Sequence, residues 1–509
     1  MGALSTDQPR RILVLYTGGT LGMVPTDRGY APRPGFLAEC LAKMPSFHEA
    51  GSPLFTTPPS RVGVRAHYHI KEYAPLLDSA NLGMADWVHL ARDIEQHYDD
   101  YDAFVILHGT DTMAYTAAAL SFMLVNNRKT VILTGSQIPL LHARNDAVDN
   151  LLGALTVAAH YEIPEVGLYF RGKLHRGNRC RKVDAEGLDA FQSPNMSPLA
   201  EIGTRIHVNW DLVRIPQDGA LRVRPITTPH VAAIRWFPGL SAEILDRILQ
   251  PPLRGVVLET YGAGNAPDNQ PAIHEALRRG TDAGIVLVNI TQCVTGRVTD
   301  DYAAGRALRE AGVVGGVDMT PEAALTKLAY LLSQGLSVDE VRHLMAVDLR
   351  GELTPLPEQG RYSFRDRAFV QGVARVLQAE DEAGVGRALL PTLAVAAAFG
   401  GDLDTLLRLS RSGAALDGPD PDGRTPLRAA ASAGHHEVVA WLLNAGVSPN
   451  TPDALGRTAL FEALRHGHDR VAVLLRAHGA AEPDAKRLAL RSAAEAGDLH
   501  ALRELLDED

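Results

Sequence analysis

Two short segments, Leu15-Tyr16-Thr17-Gly18-Gly19-Thr20-Leu21 and Leu107-His108-Gly109-Thr110-Asp111-Thr112, restrict the fold of this chain more than any other feature. Each is a glycine-containing turn carrying threonines, and each directly follows an apolar run, Ile12 to Leu15 or Phe104 to Leu107, that reads as a buried strand. In an open α/β sheet, ligands bind outside the carboxyl ends of parallel strands. Two such turns therefore make a candidate active site built on hydroxyl groups.

The surrounding sequence agrees with an α/β class. Residues 10 to about 200 alternate apolar runs with helical stretches, the pattern of a parallel sheet covered on both faces. Strands are expected at Ile12–Tyr16, Ala103–His108, Thr130–Thr134 and Val166–Phe170. Trp87, Leu90, Ala91, Ile94 and Tyr98 recur at helical spacing and predict one amphipathic helix. The Ala-rich run Met113 to Leu124 predicts another, with its N-terminal amides aimed at the second turn. After a Pro- and Gly-containing connection around residues 190 to 228, a second α/β series follows. Its expected strands are Val231–Trp236, Gly255–Glu259 and Ile285–Asn289, with helices around Pro321–Ser333 and Val338–Val347. The expected divisions are an α/β domain at 10–200, a smaller one at 215–355 and a charged, helical connector at 356–390.

From residue 391 to 509 the chain becomes periodic. Gly401, Gly434 and Gly467 are spaced by 33 residues, with Gly497 a further 30 along, and Gly413, Gly446 and Gly479 repeat the 33. Thr425-Pro426-Leu427 with Ala430 recurs as Thr458-Ala459-Leu460 with Ala463. This period and pattern resemble ankyrin repeats, which implies an all-α stack of three to four two-helix units. Arg428 and Phe461 stand where the repeat usually has histidine.

With 509 residues and 46% apolar content, the chain is an ordinary globular multidomain polypeptide. Its net charge of −10 argues against a broad nucleic-acid surface. Cys40, Cys180 and Cys293 are widely spaced and form no metal-ligand pattern, which fits a reducing, cytoplasmic compartment. No window approaches the roughly 18 apolar residues of a membrane span. Met1-Gly2 with Thr6 matches a myristoylation pattern, but no basic cluster or nearby cysteine supplies a second anchor.

A threonine hydroxyl needs a base or a favourable geometry to act as a nucleophile at neutral pH. Taken singly, each turn is equally readable as a set of N-cap and turn residues, since Thr, Asp and Gly are favoured there. Taken together and in order, Tyr16–Gly22 and His108–Thr112 closely resemble the two signatures of the bacterial-type L-asparaginase/glutaminase family. Five further segments resemble its cytosolic type I branch: Pro75–Ser79, Thr134–Pro139, Arg176–Arg179, Tyr261–Pro267 and Leu349–Thr354. The resemblance spans residues 10 to 355.

The resemblance implies two α/β domains, the larger N-terminal with a parallel sheet, and hydrolysis of L-asparagine to L-aspartate and ammonia without metal or organic cofactor. It implies Thr20 as the nucleophile that forms an acyl-enzyme, Tyr30 as a lid residue, and Thr110, Asp111 and Lys182 as a second hydroxyl–carboxylate–amine set. Asp78, Ser79, Thr110 and Asp111 would bind the substrate's ammonium and carboxylate. Asn265 would reach a neighbouring subunit's site in a homo-oligomer, dimer or tetramer. His108 is expected to be a structural turn residue. Some type I enzymes are activated by asparagine and carry an arginine just before the Tyr-Gly-x-Gly-Asn segment. Here Glu259-Thr260 stands there, so hyperbolic kinetics are expected. Two other readings compete. One is a lysophospholipase-type acyl hydrolase, as animal members with ankyrin repeats are described, although the chain has no G-x-S-x-G elbow. The other is a scaffold whose ankyrin repeats bind a protein partner.

Overall fold

The computed structural model describes residues 10–355 apart from 53, 61–62, 217–218 and 300–302. It also describes residues 382–490 apart from 412–414, 421–422, 454–455, 485 and 487–488, together with residue 500. The chain divides into two units, Met1–Leu356 and Pro357–Asp509.

Five parallel strands form the centre of the first unit: β1 (Arg11–Gly18), β2 (His67–Leu77), β3 (Ala103–Leu107), β4 (Thr130–Thr134) and β5 (Val166–Phe170), in the spatial order β5-β4-β3-β1-β2. Every residue of β3, β4 and β5 is buried, as continuous Val/Ile/Leu-rich strands covered on both faces require. The sheet is mixed at its margins. Lys173–Arg176, Ala200–Ile202 and Ile206–Val208 extend one edge by antiparallel pairing, and Phe55–Thr56 pairs antiparallel on the other. The segment read as a mere connection around 190–228 thus contributes edge strands. Strand β2 was not legible in the sequence, because His67-Tyr68-His69-Ile70-Lys71-Glu72-Tyr73 is polar and only partly buried near the sheet's edge.

Helix α1 (Met84–Gln96) buries Trp87, Leu90, Ala91 and Ile94 against this sheet's core, each large side chain contributing roughly 1.5–3 kcal/mol. Tyr98 lies past the helix end and stacks on Phe104. Helix α2 (Met113–Met123) is apolar on nearly every side because it lies between two layers. Its Phe122 stacks on Tyr330 of α4 (Pro321–Leu332), with ring centroids 5.9 Å apart. Helix α3 (Ala147–His160) follows β4.

Beyond them, β7 (Val231–Arg235), β8 (Gly255–Thr260), β9 (Val286–Thr291) and Val314–Gly315 make a second, all-parallel sheet; β6 is the short strand Arg181–Lys182. Helix α4 starts at an N-capping Thr320 with Pro321 in its first turn, and α5 (Val338–Met345) starts at a Ser337/Glu340 capping box. The segment 348–354 ties the two sheets together. Arg179 donates to the Gly351 carbonyl at 2.7 Å and pairs with Asp318 at 3.0 Å, while Asn178 donates to the Arg350 carbonyl at 3.0 Å.

In the second unit, three helix pairs are described: Glu382–Phe399 with Leu403–Arg411, Pro426–Ala433 with His436–Asn444, and Ala459–Arg465 with Asp469–Ala477. The repeating glycines are the helix stops. Gly401, Gly434 and Gly467 have φ of 73°, 78° and 71°, a left-handed conformation that glycine adopts without strain. Thr425 and Thr458 cap the first helix of their repeats. Arg428, in the usual histidine position, forms a buried ion pair with Asp453 at 2.9 Å. Residues 356–381 of the expected connector, together with Gly413 and Gly497, lie outside the described residues. From Glu382 onward the chain already belongs to the first repeat helix. Among the described residues no helix is long and apolar enough to cross a membrane.

Candidate active site

Three strand-end turns, after β1, β2 and β3, meet backbone to backbone. Gly18 has φ 124°, and a Cβ there would sit 2.2 Å from the Leu77 carbonyl oxygen; Gly19 has φ 83°, and a Cβ there would sit 2.4 Å from the Gly109 nitrogen. A Cβ on Gly109 would lie 2.6 Å from Ser79 Oγ. Only glycine permits these approaches, so glycines bring the turns carrying Thr20, Asp78-Ser79 and Thr110-Asp111 to one place. Hydrogen bonds fasten the junction: Gly19 N–H donates to Leu77 O at 3.1 Å, Thr17 Oγ1 to Leu107 O at 3.0 Å and Thr112 Oγ1 to Ser79 O at 2.8 Å.

Lys182 reaches this junction from β6, which is held by antiparallel pairing with Phe191–Gln192. Its Nζ donates to Thr110 Oγ1 at 2.8 Å and to Asp111 Oδ1 at 2.8 Å. The Thr110 side chain is buried, whereas Asp111 is exposed and available to a ligand. The basic run Arg179-Cys180-Arg181-Lys182 is therefore not a solvated face: Arg179 and Cys180 are buried and the Lys182 side chain is 19% exposed.

Thr20 opens the single turn Thr20–Gly22 directly after β1 and is partly buried. Tyr30 lies on the hairpin Met23–Thr26/Gly29–Pro32, is half exposed, and its hydroxyl bonds His142 Nε2 at 2.9 Å. The described contacts thus join Tyr30 to His142. Asp78 caps the Ser79–Asn81 turn, its Oδ1 accepting from Ala80 N at 3.0 Å, and stays exposed, while Ser79 is buried against Gly109. Asn265 closes the Tyr261–Asn265 turn, and its buried Oδ1 has no hydrogen-bond partner among the described residues. His108 is enclosed, its Nδ1 against Gly109 O at 2.7 Å and Nε2 against Thr116 Oγ1 at 2.9 Å. Burial pushes its pKa down to about 4, so it stays neutral as a structural turn residue.

Two residues to which the sequence reading gave no role take part. Gln137, in the turn after β4, accepts from Thr110 Oγ1 at 3.1 Å, and Asp146 holds the Gln137 and Ile138 amides at 2.9–3.2 Å. The segment Thr134–Pro139 leaves the buried strand β4 at its carboxyl end, the end of the sheet where the turn after β3 lies, and that was the available signal for Gln137; Asp146 had none.

Family models agree with this architecture. The model described as "Asparaginase, N-terminal" matches residues 11–214, "Glutaminase/Asparaginase C-terminal domain" matches 230–345, and "Ankyrin repeats (3 copies)" matches 393–487. L-asparaginase 1 of Escherichia coli K12 is 51% identical over 350 residues, covering 68% of this chain and 99% of the relative. A 60 kDa lysophospholipase of Homo sapiens is 44% identical over 434 residues, covering 82% of this chain and 75% of the relative. Among solved structures, L-asparaginase I from Vibrio cholerae superimposes with a TM-score of 0.61 at 47% identity, covering 68% of this chain and 100% of that one. The chain belongs to the asparaginase family and carries C-terminal ankyrin repeats.

Proposed function

We propose that the chain hydrolyses the side-chain amide of L-asparagine to L-aspartate and ammonia, with Thr20 as the nucleophile of an acyl-enzyme. The observation that carries this reading is the Lys182 ammonium, 2.8 Å from both Thr110 Oγ1 and Asp111 Oδ1 at the end of β3. A zwitterionic amino acid needs an anion for its ammonium and donors for its carboxylate. The exposed Asp78 and Asp111 supply the first and the Ser79 hydroxyl the second. Backbone amides following the Gly18-Gly19 turn are suited to a developing oxyanion. Tyr30 acts as the lid over Thr20 once it leaves His142.

Asn265, partly exposed on the Tyr261–Asn265 turn, reaches a neighbouring subunit's site in a homo-oligomer, dimer or tetramer. The compartment is cytoplasmic and the ankyrin unit serves a protein partner; of the expected divisions 10–200, 215–355, 356–390 and 391–509, the first extends through the edge strand Ile206–Val208 and the last begins with the helix Glu382–Phe399.

The test is release of ammonia and aspartate from L-asparagine and, separately, from L-glutamine, beside fatty-acid release from lysophosphatidylcholine. Asparagine-dependent ammonia release with no fatty acid is the expected result. The 60 kDa lysophospholipase relative makes the lipid arm necessary, and fatty acid released without ammonia would overturn the proposal.

The same assay tests regulation. The Glu259 carboxylate lies 3.6 Å from Arg235, an acidic side chain where some relatives place an effector-binding cation. Asparagine saturation is therefore expected to be hyperbolic, with a Hill coefficient near one; clear sigmoidality would refute the absence of activation by substrate.

A further inference from the structure

Gln137 has two donors and one acceptor on its side-chain amide, and all are engaged. Its Nε2 donates to Ala185 O at 3.2 Å and to Gly187 O at 3.3 Å, while its Oε1 accepts from Thr110 Oγ1 at 3.1 Å. The reverse amide orientation would turn Oε1 toward two carbonyl oxygens, which can only repel it, so the orientation is fixed by its partners. The carbonyls are themselves held. Asp184 Oδ1 accepts from both Glu186 N and Gly187 N at 2.8 Å, which locks the 184–187 turn. At the other end Asp146, itself buried, holds the Gln137 main chain.

A threonine hydroxyl has a single proton. With that proton committed to Gln137, Thr110 Oγ1 meets Lys182 as an acceptor, and Lys182 donates to Thr110 and Asp111 together. The remaining lone pair of Thr110 is then the only function it can offer a nucleophile or a water. We infer that Gln137 is a positioning residue that sets the direction of the Thr110 hydroxyl, keeping an oxygen lone pair rather than a proton turned toward the reacting groups. This deepens, and rests on, the amidohydrolase reading above. Without the Gln137 acceptor the Thr110 proton swings free, and Thr110 becomes a hydrogen-bond donor where it should accept a hydrogen bond from the nucleophile or a water.

The experiment compares Gln137→Met, similar in length but without hydrogen-bonding capacity, with the wild type and with Thr110→Val in the full-length protein. Gln137→Met is expected to lower kcat for ammonia release from L-asparagine about tenfold, the effect of losing one hydrogen bond, and to leave KM within about threefold. In the Thr110→Val background, which has no hydroxyl to direct, Gln137→Met should cause no further loss, because the two residues act through one bond. Gln137→Glu keeps the acceptor but sets a carboxylate against two carbonyls. Its rate relative to wild type should recover as pH falls through the glutamate range and the added proton restores a donor.

An unchanged kcat in Gln137→Met, or a loss that adds in full to that of Thr110→Val, would overturn the inference; the second result would assign Gln137 a purely structural role. If either single variant fails to fold, the pH profile of Gln137→Glu decides, and a profile parallel to wild type overturns it. Wild-type protein that releases no ammonia would sink the functional reading and this inference with it, whereas release at an undiminished kcat in Gln137→Met sinks this inference alone.

Discussion

Replacing Thr20 by alanine is expected to reduce ammonia release from L-asparagine on the order of 10⁴-fold or more, while the protein stays folded. The size follows from the chemistry: in covalent catalysis, loss of the nucleophile removes the acyl-enzyme route and leaves only the background from binding and oxyanion stabilisation. Retained folding follows from the structure. The turn Thr20–Gly22 is capped at Gly19 by no side chain, so deleting the Thr20 hydroxyl breaks no cap. The turn's shape is set by Gly18 and Gly19, whose positive φ values and contacts with Leu77 and Gly109 persist in the variant. The check is aspartate and ammonia release beside thermal melting. A variant that keeps more than about a hundredth of wild-type kcat at an unchanged melting temperature would move the nucleophile to another of the hydroxyls at the junction.

What the sequence disclosed and what it hid divide along physical lines. Strands β3, β4 and β5 were legible because burial on both faces demands unbroken apolar runs, and the turn after β3 because strand ends carry Gly, Thr and Asp. The α1 stripe and the 33-residue glycine period were legible because helix faces and repeat stops recur at fixed intervals. Strand β2 was hidden, since a partly buried strand near an edge admits His, Lys and Glu and loses its pattern. At the site, the amine–hydroxyl–carboxylate contact of Lys182 joins residues about seventy positions apart, and no local pattern announces it. Lys182 emerged only through resemblance to a family. Gln137 stood inside a recognised segment without a role, because a role consisting of two donated bonds and one accepted bond exists only in three dimensions.

The same reasoning gives the largest expected stability effect, at Lys327. Its ammonium and the Glu352 carboxylate are both 0% exposed and lie 2.5 Å apart. Lys327 also donates to the Met345 and Val347 carbonyls, and Glu352 accepts from the Leu349 and Arg350 amides. Lys327→Met is expected to destabilise the first unit by about 3–5 kcal/mol, because it strands a buried carboxylate rather than merely removing an attraction. Replacing both partners by apolar residues should cost less than the single change, and a double variant as unstable as Lys327→Met would refute that account. Acid provides an independent check. Burial pushes the Glu352 carboxyl up, but the Lys327 ammonium and the two amides outweigh it and hold its pKa below the ordinary glutamate value. A carboxylate with a depressed folded pKa stabilises above the unfolded value of about 4.3 and loses that contribution as pH falls through the lower folded value. Wild-type stability should therefore decline in that acid window, and the Lys327→Met/Glu352→Leu variant should decline less steeply. Because segment 348–354 also receives Arg179 and Asn178, just ahead of Lys182, unfolding at this pair is expected to displace the Lys182 amine as well. Activity and folding of Lys327→Met should consequently be lost over the same range of denaturant, whereas Thr20→Ala separates the two.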